Sequence, residues 1–225
     1  MFNFRELIEL WRKDNLLDQA LNNSHAMMDS THTMFIASRK SLRESDSGEM
    51  QLNVYDKDEM VNRYEQKVRR KVLKHLAITG GVNIIPGLIL TSIVIDVERI
   101  GDYTKNIMDL AEAHPKKLTC GSFEADIAKI EANVEQLFGQ VIPVFKETDK
   151  EKARSLIQDH WWMLKRCDEI LSTLISDGDP ELSVSDAVST GIYARYLKRI
   201  TAHLINIASS VVNPFEGIGF HPDKD

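Results

Sequence analysis

Cysteine is nearly missing from this 225-residue chain, which has only Cys120 and Cys167. Two thiols without paired spacing make neither a zinc site nor a disulfide framework, so a reducing, cytoplasmic home is expected. Aromatic residues are scarce, at 7%. Long apolar runs are lacking too. The longest, Ile84 to Ile95, contains Pro86 and Gly87 and falls well short of the roughly 20 residues that span a bilayer. The amino-terminal stretch MFNFRELIELWRKDN is charged at positions 5, 6 and 9, which a secretory signal is not. An excess of positive charge is also absent. A net charge of −6 and a pI near 5.7 argue against nucleic-acid binding through general electrostatics. What remains is a local basic strip, Arg63, Lys67, Arg70, Lys71 and Lys74, readable as a docking face or as a solvated helix surface.

Catalytic signatures are missing in the same way. The chain has no Gly-x-x-x-x-Gly-Lys phosphate loop, no Gly-x-Ser-x-Gly elbow and no evident nucleophile with a base. A ferritin-like di-iron centre needs Glu-x-x-His pairs, and none occurs.

What is present is helical periodicity from end to end, with no alternation long enough for a strand. The chain therefore reads as all-α. Six stretches emerge: Leu7 to Arg43, Val54 to Ile78, Pro86 to Glu112, Phe123 to Lys146, Lys150 to Ile175 and Ser183 to Val212. In the second, Val61, Tyr64, Val68, Val72 and Leu76 form one apolar stripe; in the third, Ile93, Val97, Ile100, Thr104, Ile107 and Ala111 do so. The segment AHPKKLTCGSF breaks the pattern and divides the chain into residues 1–116 and 117–225, the latter with a C-terminal tail.

Three helices before the break and three after invite a repeat comparison. ERIGDYTKNI at 98–107 overlays KRITAHLINI at 198–207, keeping Arg99 with Arg199, Ile100 with Ile200, Asn106 with Asn206 and Ile107 with Ile207. Phe35 and Asp46 overlay Phe138 and Asp149, and Asp58 overlays Asp159. The predicted fold is a tandem repeat of two three-helix bundles, with six long antiparallel helices.

The stretch SIVIDVERIGDY places carboxylates beside a mid-helix glycine. Glu98 and Asp102 lie one turn apart, turned away from the main seam, with Asn106 and Asp109 along the same line. Asp58, Asn62, Glu65 and Arg69 form a second polar line on the preceding helix. Two acidic lines on neighbouring helices can share a cation, and oxygen donors suit magnesium, iron or manganese better than thiolate-held zinc. Acidic pairs at i and i+4 are also common on solvated faces. Gly101 favours a site, because a glycine within a helix costs about 1 kcal/mol against alanine and asks for a reason such as a close approach.

DVERIGDYTKNI resembles the Asp/Glu-Arg-Ile-Gly-Asp signature of PhoU proteins, regulators of phosphate uptake in bacteria and archaea. The resemblance extends to the tandem repeat and to the helix carrying DKDEMVNRYEQKV, nearly the whole chain. It implies a metal motif at Glu98 and Asp102, faced by Asp58 and Asn62, that binds iron or zinc as a multinuclear cluster. Manganese or magnesium ranks behind these, and no organic cofactor is implied. The second repeat departs from the motif, with Lys198, Thr201 and Ala202 in place of Glu, Gly and Asp, so at most one cluster is expected. The resemblance further implies a non-enzymatic adaptor, possible as a homodimer, that binds a phosphate transporter component, a sensor kinase or both. Such an adaptor would be peripheral to the membrane through its protein partner. A metal-dependent enzyme using Glu98 and Asp102, or a metal-free helical scaffold, are the alternatives.

Overall fold

In the computed structural model of the protein the described residues are 15–46, 52–114 and 116–220. They form seven α-helices and two short 3-10 turns, with no strand among them. The helices are α1 (Asn15–Glu44), α2 (Val54–Thr79), α3 (Ile84–Ala113), α4 (Glu124–Glu147), α5 (Lys150–His160), α6 (Trp162–Ser176) and α7 (Val184–Val212). The expected start of the first helix at Leu7 and the last five residues lie outside the described residues.

Helix starts follow local side-chain chemistry. Asn53, Asp149 and Ser183 each accept a hydrogen bond from the backbone N–H three residues on, at 3.0 to 3.1 Å, and so cap α2, α5 and α7. The end of α2 is a left-handed glycine, Gly80, a common way for a helix to stop. Both expected apolar stripes are found inside: Val61, Val68 and Val72 on α2, and Ile93, Val97, Ile100, Thr104, Ile107 and Ala111 on α3, are buried, with Tyr64 and Leu76 half-buried.

The expected six long helices are present: the stretch predicted as one helix from Lys150 to Ile175 runs through α5 and α6, with a one-residue break at Trp161, which keeps helical dihedrals (φ −60°, ψ −31°) and whose N–H still reaches the Ile157 carbonyl at 3.1 Å. Just before the break the His160 ring nitrogen Nδ1 donates to the Leu156 carbonyl at 2.8 Å. A side chain that bonds a helix carbonyl in this way competes with the backbone ladder and favours a bend. Asp46 and Asp149 differ in role. Asp149 caps α5, whereas the corresponding cap of α2 is Asn53, so the two connections differ in length.

Helices α1, α2 and α3 pack on one another, and α4, α5 and α6 all pack on α7. The two sets meet chiefly where α3 lies along α7. Their directions are opposed: His114 meets Asp186, the Tyr103 hydroxyl accepts from Arg199 Nε, and Asp96 accepts from His203 and Asn206. A second junction links α1 to α4. Phe35 and its repeat counterpart Phe138 are both fully buried, with ring centroids 5.5 Å apart. Nearby, buried Arg43 reaches Glu131 at 2.9 Å and also contacts Glu124 and the Leu118 carbonyl, while the Tyr193 hydroxyl donates to Glu131 at 2.7 Å.

The α2–α3 hairpin is drawn tight at its tip. A Cβ on Gly87 would sit 2.9 Å from Val72 Cγ1, so only glycine fits without a shift. Pro86 lies in the first turn of α3, where its missing N–H costs nothing.

Candidate functional site

Positions 98, 101, 102 and 105 follow i, i+3, i+4 and i+7 spacing, which puts Glu98, Gly101, Asp102 and Lys105 on one facet of α3. That facet faces α2 at Asp58. The Asp58 side chain is 9% exposed, and its Oδ2 accepts from Lys105 Nζ at 2.7 Å. The same ammonium lies 3.2 Å from Asp102 Oδ1. Arg99 bridges from the solvent side, 3.6 Å from Glu98 and 3.3 Å from Asp102. One carboxylate from each acidic line, Asp58 and Asp102, meets a shared cation, and that cation is the chain's own Lys105.

The electrostatics follow from this crowding. Burial raises the Glu98 carboxyl above its ordinary range, reinforced by Asp102 and, more weakly, by Glu65 and Asp58, against an opposing pull from Arg99. For Lys105, burial works against the charge, but the hydrogen bond to Asp58 and the charges of Asp58 and Asp102 raise its pKa. The facet therefore keeps the Lys105 ammonium charged.

Gly101 is buried and looks at Asp58. A Cβ there would lie 3.5 Å from Asp58 Oδ1 and 3.6 Å from both Thr31 Cγ2 and Val61 Cγ1, which are ordinary contacts. The close approach anticipated for Gly101 is thus not a steric necessity; it is Gly87 that the packing requires. Beside it lies Asp58 Oδ1, a buried oxygen without a hydrogen-bond partner.

The remaining expected residues are more dispersed. Asn62 is half-buried on α2, and Glu65 pairs with Arg69 at 2.8 Å. Asp109 accepts from the Tyr55 hydroxyl at 2.6 Å. Within the basic strip, Arg63 is paired with Glu59, Lys67 lies over the Tyr64 ring, and Lys71 donates to Gln19 on α1. Arg70 and Lys74 are exposed.

As a metal-ligand set these residues do not fit a multinuclear cluster. Among the described residues no group of three or more His, Cys, Asp or Glu side chains is placed to hold an ion. A metal would have to displace Lys105, whose ammonium has no lone pair to offer it. In the second repeat Lys198 pairs with Asp168 at 2.5 Å, and the Thr201 hydroxyl donates to the Leu197 carbonyl. That half has no counterpart of the facet. A separate cleft of about 460 Å³ between α4 and α5, lined by Asn133, Gln140, Pro143, Ser155, Asp159 and His160 among others, is built from different helices.

Sequence reasoning passed over Lys105 and Arg43. Lys105 had a usable signal, standing three residues after Asp102 and seven after Glu98. Arg43 had none, since Glu131 is 88 residues away.

Comparison with known proteins bears on this geometry. Residues 25–111 match the model of the PhoU domain family. Among solved structures, PhoU from Pseudomonas aeruginosa superimposes with a TM-score of 0.76 at 19% identity, covering 90% of this chain and 98% of that one. The phosphate transport system regulatory protein PhoU from Streptococcus pneumoniae does so with a TM-score of 0.67 at 18% identity, covering 92% and 93%. A search of curated proteins gave no match.

Proposed function

We propose that this protein regulates phosphate uptake, because residues 25–111 match the PhoU domain model and about nine-tenths of the chain superimposes on PhoU proteins. It acts as an adaptor at the cytoplasmic face of the membrane, binding a phosphate transporter component, its sensor kinase or both. The observation that carries this reading is the extent of the structural match, which covers 90% of this chain and 98% of the Pseudomonas chain and so takes in more than one three-helix set. The Glu98–Asp102–Asp58 facet supports a binding role over a chemical one. Its carboxylates are already answered by Lys105 and Arg99, whereas metal-assisted chemistry calls for open coordination positions.

The test is genetic and quantitative. Deleting the gene and following uptake of labelled phosphate in phosphate-rich medium is expected to raise uptake severalfold, with wild-type protein restoring the lower rate. Unchanged uptake after deletion would overturn the proposal.

A further inference from the structure

We propose that the tip of the α2–α3 hairpin docks directly on an anionic lipid surface. The sequence over 66–95 holds Lys67, Arg69, Arg70, Lys71 and Lys74 and not one Asp or Glu. A run of 30 residues with a formal charge of +5 stands out in a chain whose net charge is −6. At the end of this cationic arm the chain turns through left-handed Gly80 and Gly81, and large apolar side chains cluster there in the open. Ile78 is 77% exposed, Val82 59%, Ile84 51%, Ile85 45% and Leu88 39%.

The same end of the molecule adds more apolar surface. Because α3 and α7 run antiparallel, the start of α3 lies near the end of α7, and the turn at Phe215–Gly217 packs on both. Phe215 and Phe220, both exposed, belong to this end.

Charge and spacing select lipid as the occupant. Lys74 lies five residues before the end of α2, about 7 Å from the tip at 1.5 Å per residue, and Arg70 about 13 Å. An apolar segment that settles roughly 5 to 10 Å into the headgroup–acyl boundary would bring these two exposed cations to the level of the lipid phosphates. Long Lys and Arg stems can follow the apolar surface while the charge stays in the headgroups. The tip is a tight turn between two helices with its apolar side chains exposed. No helix among the described residues is long and apolar enough to cross the membrane, so the contact is interfacial.

This inference stands apart from the regulatory proposal, which survives if the tip ignores lipid. The experiment is co-sedimentation of the full chain with vesicles of phosphatidylcholine alone or mixed with phosphatidylglycerol, at low and at 0.5 M salt. Wild-type protein is expected to bind the anionic vesicles, and salt to weaken that binding. Each surface cation is worth roughly fivefold in partition. Arg70→Gln/Lys74→Gln should therefore lose more than tenfold, and Ile78→Ser/Ile84→Ser should lose comparably. These side chains are exposed, and thermal melting checks that the variants stay folded. No binding to anionic vesicles, or binding that neither double variant weakens, would overturn the proposal. So would a homodimer, seen by ultracentrifugation without lipid, that Ile78→Ser/Ile84→Ser dissociates, since it would assign the tip to a second copy of the chain.

Discussion

At the scale of single residues the facet is governed by one lysine. Asp58 is tolerated at the α2–α3 contact because Lys105 Nζ stands 2.7 Å away. Lys105→Met removes the ammonium and leaves a nearly buried carboxylate unanswered. Breaking a fully buried pair costs about 3 to 5 kcal/mol; with Lys105 still 27% exposed, the expected loss in chemical denaturation is about 2 kcal/mol. Elemental analysis should find little iron or zinc in wild-type protein and no gain in Lys105→Met, since no third ligand stands beside Asp58 and Asp102 among the described residues; stoichiometric metal in either protein would overturn that expectation. Two glycines give a contrasting pair. Gly101→Ala meets only ordinary contacts and should be neutral or stabilising by up to about 1 kcal/mol. Gly87→Ala drives a methyl against Val72 and should lose about 1 to 3 kcal/mol. Thermal melts of the two variants side by side test both.

At the scale of elements, nearly every helix was legible because its seam repeats at helical spacing and its ends carry capping or breaking residues. The stripes on α2 and α3 could be read off directly, since Val61 to Val72 and Ile93 to Ala111 face a core that the periodicity demands. The break at Trp161 could not, because it accompanies a hydrogen bond from the His160 ring to the Leu156 carbonyl, a choice of rotamer and not of residue pattern. The acidic residues of the facet were legible as lines along α2 and α3. That Lys105 would turn into them and not into solvent depended on the angle at which the two helices pack. Start signals also carry electrostatic consequences. Asp186, in the first turn of α7, is hydrogen-bonded by the Ser183 hydroxyl, Lys116 and His114. These bonds hold its carboxyl far below the usual range, in that order of strength and against the opposing effect of burial. A depressed folded-state pKa stabilises the fold at every pH above the unfolded carboxylate value, and the contribution is lost as pH falls through the folded one. Asp186→Asn should therefore cost about 2 kcal/mol at pH 7, with the gap to wild type narrowing in strong acid. Urea titrations from pH 7 down to pH 2 would show the two curves converging.

At the scale of the whole molecule, the junction around Arg43 fastens one three-helix set to the other. Arg43 on α1 holds Glu131 and Glu124, and Tyr193 on α7 shares Glu131. Arg43→Met would strand a buried carboxylate and is expected to cost about 3 kcal/mol or more. Because the link runs between sets, calorimetry is expected to show one transition for wild-type protein and a broadened or split one for the variant. Glu131→Gln, which keeps a hydrogen-bonding group for Tyr193, should do less harm. No repeat comparison could foresee this junction, since Arg43 and Glu131 are not counterparts, whereas Phe35 and Phe138 are, and they meet in the core. The two halves share a scaffold but not a surface: Glu98, Gly101 and Asp102 share a facet with Lys105 in one, while Lys198, Thr201 and Ala202 stand at the matching positions in the other. A body whose halves were alike could be gripped by a partner in either of two orientations, with two equivalent handles. Marking only one half gives the molecule a heading, so that any partner reading the facet meets the protein one way round and in a ratio of one to one.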